Sequence, residues 1–293
     1  MASPKENFTP ENCVENYKSI FSKTALSGKV AFITGGGSGI GFTISEVLMR
    51  HGCNVAIASR NFAKLQSAQS ALQKAVPGAE CFIAQMDVRK PAEVKACVDQ
   101  ILSKFNRIDI LVNNSAGNFL CLAEGLSSNA YRNVIDIDTV GTFTTSKTVY
   151  EAFFKKNGGV IINIGATLHV NGQVLQCHAG SAKAAIEAMT KHLAVEWGPD
   201  NVRIVCISPG PIADTVGYSK LGGSVFTEEQ IAQSIPIQRV GRRIDIANTV
   251  LFAVSDAGSY ITGTNLVVDG GAVLTASNGM HGIAQLLNAH SKL

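Results

Sequence analysis

From Lys29 onward, short runs rich in β-branched residues alternate with stretches in which apolar positions recur every three or four residues. The runs VAFIT (30–34), NVAIAS (54–59), CFIAQM (81–86), IDILVN (108–113), GVIINIG (159–165), NVRIVCIS (201–208) and NLVVD (265–269) are almost continuously apolar. That is the pattern of strands covered on both faces. Between them the helical period predicts helices over 39–50, after Asn61, around 92–105, over 127–156 and over 172–197, the last stopped by Gly198-Pro199. Strand and helix in repetition build a parallel sheet through right-handed crossovers. No linker, repeat or low-complexity tract breaks the series, so the expected fold is α/β: a single doubly wound domain over 28–275 with a seven-stranded parallel sheet flanked by helices. Residues 1–27 and 276–293 are extensions, and the Gly- and Ser-rich segment 211–240 reads as a lid.

Composition narrows the class. The chain has 293 residues, 46% of them hydrophobic and 16% charged, enough to bury a full core. Net charge is +3 with no basic run, which argues against a nucleic-acid surface. Cys13, Cys53, Cys81, Cys97, Cys121, Cys177 and Cys206 stand singly, with no C-x-x-C pair, and are expected as reduced, mostly buried thiols. The six histidines show no ligand spacing, and no metal is expected. With no leader pattern and no apolar run near the roughly 20 residues of a membrane span, the chain is expected to be soluble and uncleaved. It ends in Ser291-Lys292-Leu293, the tripeptide read by the peroxisomal import receptor, so the peroxisomal matrix is the expected compartment.

Candidate chemistry begins where the first strand turns into the first helix, at Gly35, Gly36, Gly37, Ser38, Gly39 and Ile40. Glycines there let the backbone approach a pyrophosphate, whose charge the helix N-terminus meets, as in Rossmann-type dinucleotide sites. The second strand ends in Ser59-Arg60, without the acidic residue that would bond a free ribose 2′-hydroxyl. A hydroxyl and a guanidinium suit a 2′-phosphate instead, so NADPH is expected over NADH, with Asn61 and Lys64 on the same edge.

These features, taken with several others, resemble the short-chain dehydrogenase/reductase family over nearly all of 28–275. TGGGSGIG (34–41) is similar to its phosphate loop, and Asp87-Val88 to its adenine contact. Asn113-Asn114-Ser115-Ala116-Gly117 resembles its N-N-A-G stretch with one residue added. Pro209, Gly210, Pro211 and Ile212 through Thr215 resemble its nicotinamide-side loop, and Val268-Asp269-Gly270-Gly271 its last strand. The resemblance implies that Asp87, Val88, Asn113, Lys183 and Pro209 to Thr215 contact the cofactor. It also implies a homo-oligomer, a tetramer assembled through helices 127–156 and 172–197.

The departures from that pattern matter more. Where the family carries Tyr, Ser and Asn beside Lys183, this chain has Ala179, Ala166 and Asp138. Alanine has no proton to give a carbonyl oxygen, so ordinary ketone reduction is disfavoured. The combination, with NSAGNFLC (114–121), DIDTVGTF (136–143), HAGSAKAA (178–185), AVEWGP (194–199) and the terminal SKL, resembles the peroxisomal 2,4-dienoyl-CoA reductases. Leu168 stands where the mitochondrial relatives place a tyrosine. The resemblance implies hydride addition to C5 of a fatty dienoyl-CoA and protonation at C2; Asp138 and Lys183 are expected to hold the water that delivers that proton. A CoA substrate makes Arg60, Lys64, Arg89 and Lys220 candidates for its phosphates, Phe119 for the diene, and Ser127 and Asn129, at a helix start, for the thioester end. Thr167 is a spare hydroxyl, and His178, beside Ala179, is expected to point elsewhere. A short-chain reductase acting on an enoyl-CoA or ketone, and a non-catalytic NADPH-binding protein, are the alternatives.

Overall fold

The computed structural model describes Cys13, residues 19–221 and residues 227–275. Seven strands, β1 (Val30–Thr34), β2 (Asn54–Ser59), β3 (Cys81–Gln85), β4 (Ile110–Asn113), β5 (Gly159–Ile164), β6 (Val202–Pro209) and β7 (Thr264–Val268), form one sheet. Its order is β3-β2-β1-β4-β5-β6-β7, and each of the six pairings is parallel. The chain winds outward from β1 to β3, crosses back beside β1, and winds outward again from β4 to β7. That reversal opens a crevice beyond the carboxyl ends of β1 and β4, where such sheets bind ligands.

The helices are α1 (Gly39–Arg50), α2 (Phe62–Ala75), α3 (Pro91–Phe105), α4 (Ser128–Ile135), α5 (Gly141–Val149), α6 (Lys155–Asn157), α7 (Cys177–Trp197), α8 (Val216–Leu221), α9 (Glu228–Gln233), α10 (Arg243–Val254) and α11 (Ala272–Thr275). Alternation along each strand separates two cores. Ala31 and Ile33 enter one with Phe42 and Leu48 of α1, Leu65 of α2 and Val250 of α10. Val30 and Phe32 enter the other with Val94 and Val98 of α3, Val149 of α5 and Leu193 of α7. The inner strand β1 is therefore covered by apolar side chains on both faces, while the edge strands β3 and β7 are only partly buried.

Two helices depart from expectation. The stretch over 127–156 is not uniform: π-helical turns at Asp136–Val140 and Tyr150–Phe154 separate α4, α5 and α6. The helix expected from 172 begins at Cys177, because Leu175 takes a left-handed φ of 70° that a right-handed helix cannot include. It stops at Gly198-Pro199 as read, in a short 3-10 turn. The segment 211–240 carries α8 and α9, with 222–226 outside the described residues, as is the terminal Ser291-Lys292-Leu293. Among the described residues no helix is long and apolar enough to cross a membrane.

Candidate active site

The turn after β1 is built around missing side chains. A Cβ on Gly36 would stand 2.5 Å from Ile57 Cγ2, and one on Gly41 would stand 2.5 Å from Asn114 Nδ2 and 2.7 Å from the Gly35 carbonyl oxygen. Asn114 fastens the turn to β4: its Nδ2 donates to the carbonyls of Thr34 (3.0 Å) and Gly35 (3.3 Å), while Thr34 Oγ1 accepts the N–H groups of Asn114 and Ser115. Ser38 precedes α1 without a side-chain cap, which leaves the helix's first N–H groups for a ligand. A groove of about 650 Å³ opens there, lined by Gly35, Gly37, Ser38, Ser59, Arg60, Asn61, Phe62 and Lys64. Seven of these eight are residues the sequence singled out for the nucleotide, and none is acidic. Asn61 also caps α2 by accepting the Lys64 N–H at 3.0 Å. This cradle fits a dinucleotide phosphate backbone.

Further along the sheet's edge the sequence candidates sort differently. The Arg89 guanidinium donates from Nε to both Asp87 oxygens (3.0 and 3.1 Å) and from Nη1 to Asn133 Oδ1 (2.8 Å). Those bonds hold the Asp87 carboxyl below its ordinary range and leave Arg89, expected at a CoA phosphate, committed within the chain. Val88 is buried against Gly141, whose Cβ would lie 2.7 Å from Val88 Cγ2. Asn113 points its amide inward: Nδ2 donates to Ser146 Oγ and Asn163 Oδ1, both at 2.9 Å, and Asn163 passes the chain on to Thr190 of α7. Pro211 and Ala213 pair with Gly241, and Thr215 caps α8 by accepting the Tyr218 N–H. Lys220 lies on α8, and its side chain is outside the described residues.

The catalytic candidates meet. Asp138 sits in the first π turn, where an added residue per turn shifts the helix face, and Lys183 sits two turns into α7. Lys183 Nζ lies 3.0 Å from Asp138 Oδ2 and donates to the Ile164 carbonyl at 3.1 Å, while Asp138 Oδ1 accepts the Gly117 N–H at 2.7 Å. Asp138 is 1% exposed and Lys183 8%. A desolvated pair is costly unless geometry and further hydrogen bonds compensate, and here both oxygens and two ammonium protons are matched. The third ammonium proton and the remaining carboxylate lone pairs are left to hold a ligand. Ala166, extended at the end of β5, and Ala179, buried on α7, offer no proton.

The loop after β4, bonded to Asp138 through Gly117, also packs on the start of α7. Phe119 gives its backbone N–H to Asn118 Oδ1 (2.8 Å), so that donor is used within the loop, while its half-buried ring packs on His178 at a centroid distance of 4.3 Å. His178, expected to point elsewhere, is fully buried and bonds the Phe119 carbonyl through Nε2 at 3.0 Å. Ser127 caps α4 by accepting the Ala130 N–H at 3.1 Å, as read, and Asn129 is exposed in its first turn. Thr167 is buried in a 3-10 turn after β5. Beside them lies a groove of about 510 Å³ lined by Ala123, Leu126, Ser128, Tyr131, Arg132, Ile135 and Cys177. Sequence reading did not single out Tyr131 or Ile135; their spacing of four on α4 was the available signal.

Residues 35–273 match the family described as enoyl-(acyl carrier protein) reductase. The chain is 52% identical, over 98% of its length and 95% of the relative's, to a Danio rerio protein named peroxisomal 2,4-dienoyl-CoA reductase [(3E)-enoyl-CoA-producing]. It is 50% identical over the full length of both to the Pongo abelii protein of that name. A crystal structure of a short-chain dehydrogenase from Bacillus anthracis superposes with a TM-score of 0.79 at 39% identity, covering 85% of this chain and 97% of that one. With its parallel seven-stranded sheet, glycine turn and α7 lysine, the chain belongs to the short-chain dehydrogenase/reductase family, an oxidoreductase family that uses a nicotinamide cofactor.

Proposed function

We propose that this chain reduces a fatty 2,4-dienoyl-CoA to the trans-3-enoyl-CoA, with NADPH as reductant, in the peroxisomal matrix. The observation that carries this reading is the buried Asp138–Lys183 pair beside two alanines, where an oxygen-protonating reductase needs a hydroxyl and a phenol. The names of relatives identical over half their positions support the substrate class and, with the terminal SKL, the compartment. The Ser59-Arg60 edge of the first groove, free of carboxylates, supports the phosphorylated cofactor.

Gly35 to Ile40 and the start of α1 would hold the pyrophosphate, Ser59 and Arg60 the 2′-phosphate, and Lys183 the nicotinamide ribose. Bound there, NADPH supplies a hydride to C5 of the conjugated thioester. Electron density then moves through the diene to the thioester oxygen, and a proton is needed at C2. Asp138, fixed by Gly117 and Lys183, accepts one hydrogen of a water, and Lys183 donates to that water's oxygen. The water gives its other proton to C2 and takes one in turn from the Lys183 ammonium, which is reprotonated from solvent. A tyrosine at 179 would serve the wrong atom. The pair also supports this reading over a binding protein without chemistry, in which a desolvated carboxylate beside the amine would serve only to hold the fold.

The test is the decay of NADPH absorbance with three thioesters. Turnover of 2,4-hexadienoyl-CoA, with little on 2-hexenoyl-CoA and none on a 3-ketoacyl-CoA, is expected. Preference for the ketone would overturn the reading, and inertness toward all three would leave a nucleotide-binding protein.

A further inference from the structure

We propose that His178 is a positioning residue, which sets how the loop after β4 presents Phe119 to the acyl-CoA; the substrate named here rests on the reading above. The loop is latched to the start of α7 at three points. Asn118 Nδ2 donates to Gln176 Oε1 at 2.9 Å, the Cys121 N–H to the Leu175 carbonyl at 3.2 Å, and His178 Nε2 meets the Phe119 carbonyl at 3.0 Å. A carbonyl only accepts, so Nε2 carries the proton in that bond. His178 also offers its ring face to the Phe119 ring, with planes tilted by 31°.

An imidazole here is a costly way to fill space. His178 is 0% exposed, and its Nδ1 is buried without a hydrogen-bond partner among the described residues. An apolar side chain of similar volume would avoid that orphaned nitrogen. What the imidazole adds is the donor to Phe119, on a loop that two residues earlier supplies the Gly117 N–H to Asp138. His178 thus governs the placement of Phe119. It acts on the substrate through Phe119, without contributing a proton.

The test compares His178→Leu, which keeps bulk and loses the donor, with His178→Gln, which keeps a donor. Expected for His178→Leu is a rise in KM for 2,4-hexadienoyl-CoA of about tenfold, with kcat and the Kd for NADPH within about threefold of wild type. His178→Gln is expected to recover most of the KM. In a Phe119→Leu background, His178→Leu is expected to add little, since both act through one contact. Equal losses in both variants, additive with Phe119→Leu, or a fall in kcat with KM unchanged, would overturn the proposal. Should His178→Leu not fold, a tenfold KM rise in His178→Gln overturns it and a KM near wild type supports it. Amide exchange at Cys121 in the ligand-free protein judges the latch without any substrate: faster exchange in His178→Leu than in His178→Gln supports it, and equal rates sink it. That arm stands even where no dienoyl thioester is turned over, an outcome that would refute the substrate reading alone.

Discussion

Asp138 owes its position to five residues of π helix. In an unbroken α-helix from Ser128 to Asn157 each side chain would advance by one fixed angle; the wider turn at Asp136–Val140 alters the phase and seats the carboxylate 3.0 Å from Lys183. At the same scale, Arg60 is assigned the cofactor's extra phosphate. Arg60→Ala is expected to weaken NADPH binding by about tenfold to a hundredfold, the worth of a charge-assisted hydrogen bond, and to leave NADH binding nearly unchanged. Fluorescence titration with both cofactors checks it, and unchanged discrimination would remove Arg60 from the role. At His178 the residue-scale reading was incomplete. Its neighbour Ala179 marks the vacated tyrosine position, and helical spacing alone turned His178 aside; the loop after β4 folds back over α7 and meets it, a tertiary contact that no local period encodes.

Among the elements, strands were the most legible, because a strand covered on both faces is apolar at most of its positions, with buried polar exceptions such as Thr34, Asn113 and Asn163 each having hydrogen-bond partners. Val30–Thr34, Asn54–Ser59 and helix Gly39–Arg50 fall where the pattern puts them. The π turns were not read, since the helical period alone does not distinguish a π turn from an α turn; the first one packs on α7, where Thr139 Oγ1 donates to the Ala182 carbonyl at 3.3 Å. Nor was the late start of α7, set by the left-handed turn at Leu175. The glycine turn was read for its ligand, and the structure adds a second constraint. Gly41 must also clear the Gly35 carbonyl, which cannot rotate away as a side-chain end could. Gly41→Ala is therefore expected to cost about 2 kcal/mol, a fall of several degrees in Tm, and to abolish tight NADPH binding. Calorimetry with and without cofactor measures both, and a wild-type Tm would contradict the packing account.

For the whole molecule, the parallel sheet brings the loops that follow its strands to one edge, which is why Asn114 after β4 bonds the Gly35 carbonyl after β1, and Lys183 of α7 reaches the Ile164 carbonyl at the end of β5. The outward faces of α5, of the π turn before it and of α7 are another matter: Phe143, Val140 and Val195 are exposed apolar residues on the helices through which family resemblance expects a tetramer. We expect gel filtration to give a tetramer and Phe143→Asp to shift it to a smaller species with the fold retained by circular dichroism; a wild-type monomer would end that expectation. The arrangement of the pair itself is tested most directly by Asp138→Asn, which keeps size and loses the carboxylate. With NADPH and 2,4-hexadienoyl-CoA, kcat is expected to fall by about a hundredfold or more while the Kd for NADPH stays within about threefold. Turnover close to wild type in that variant would contradict protonation through Asp138 and Lys183.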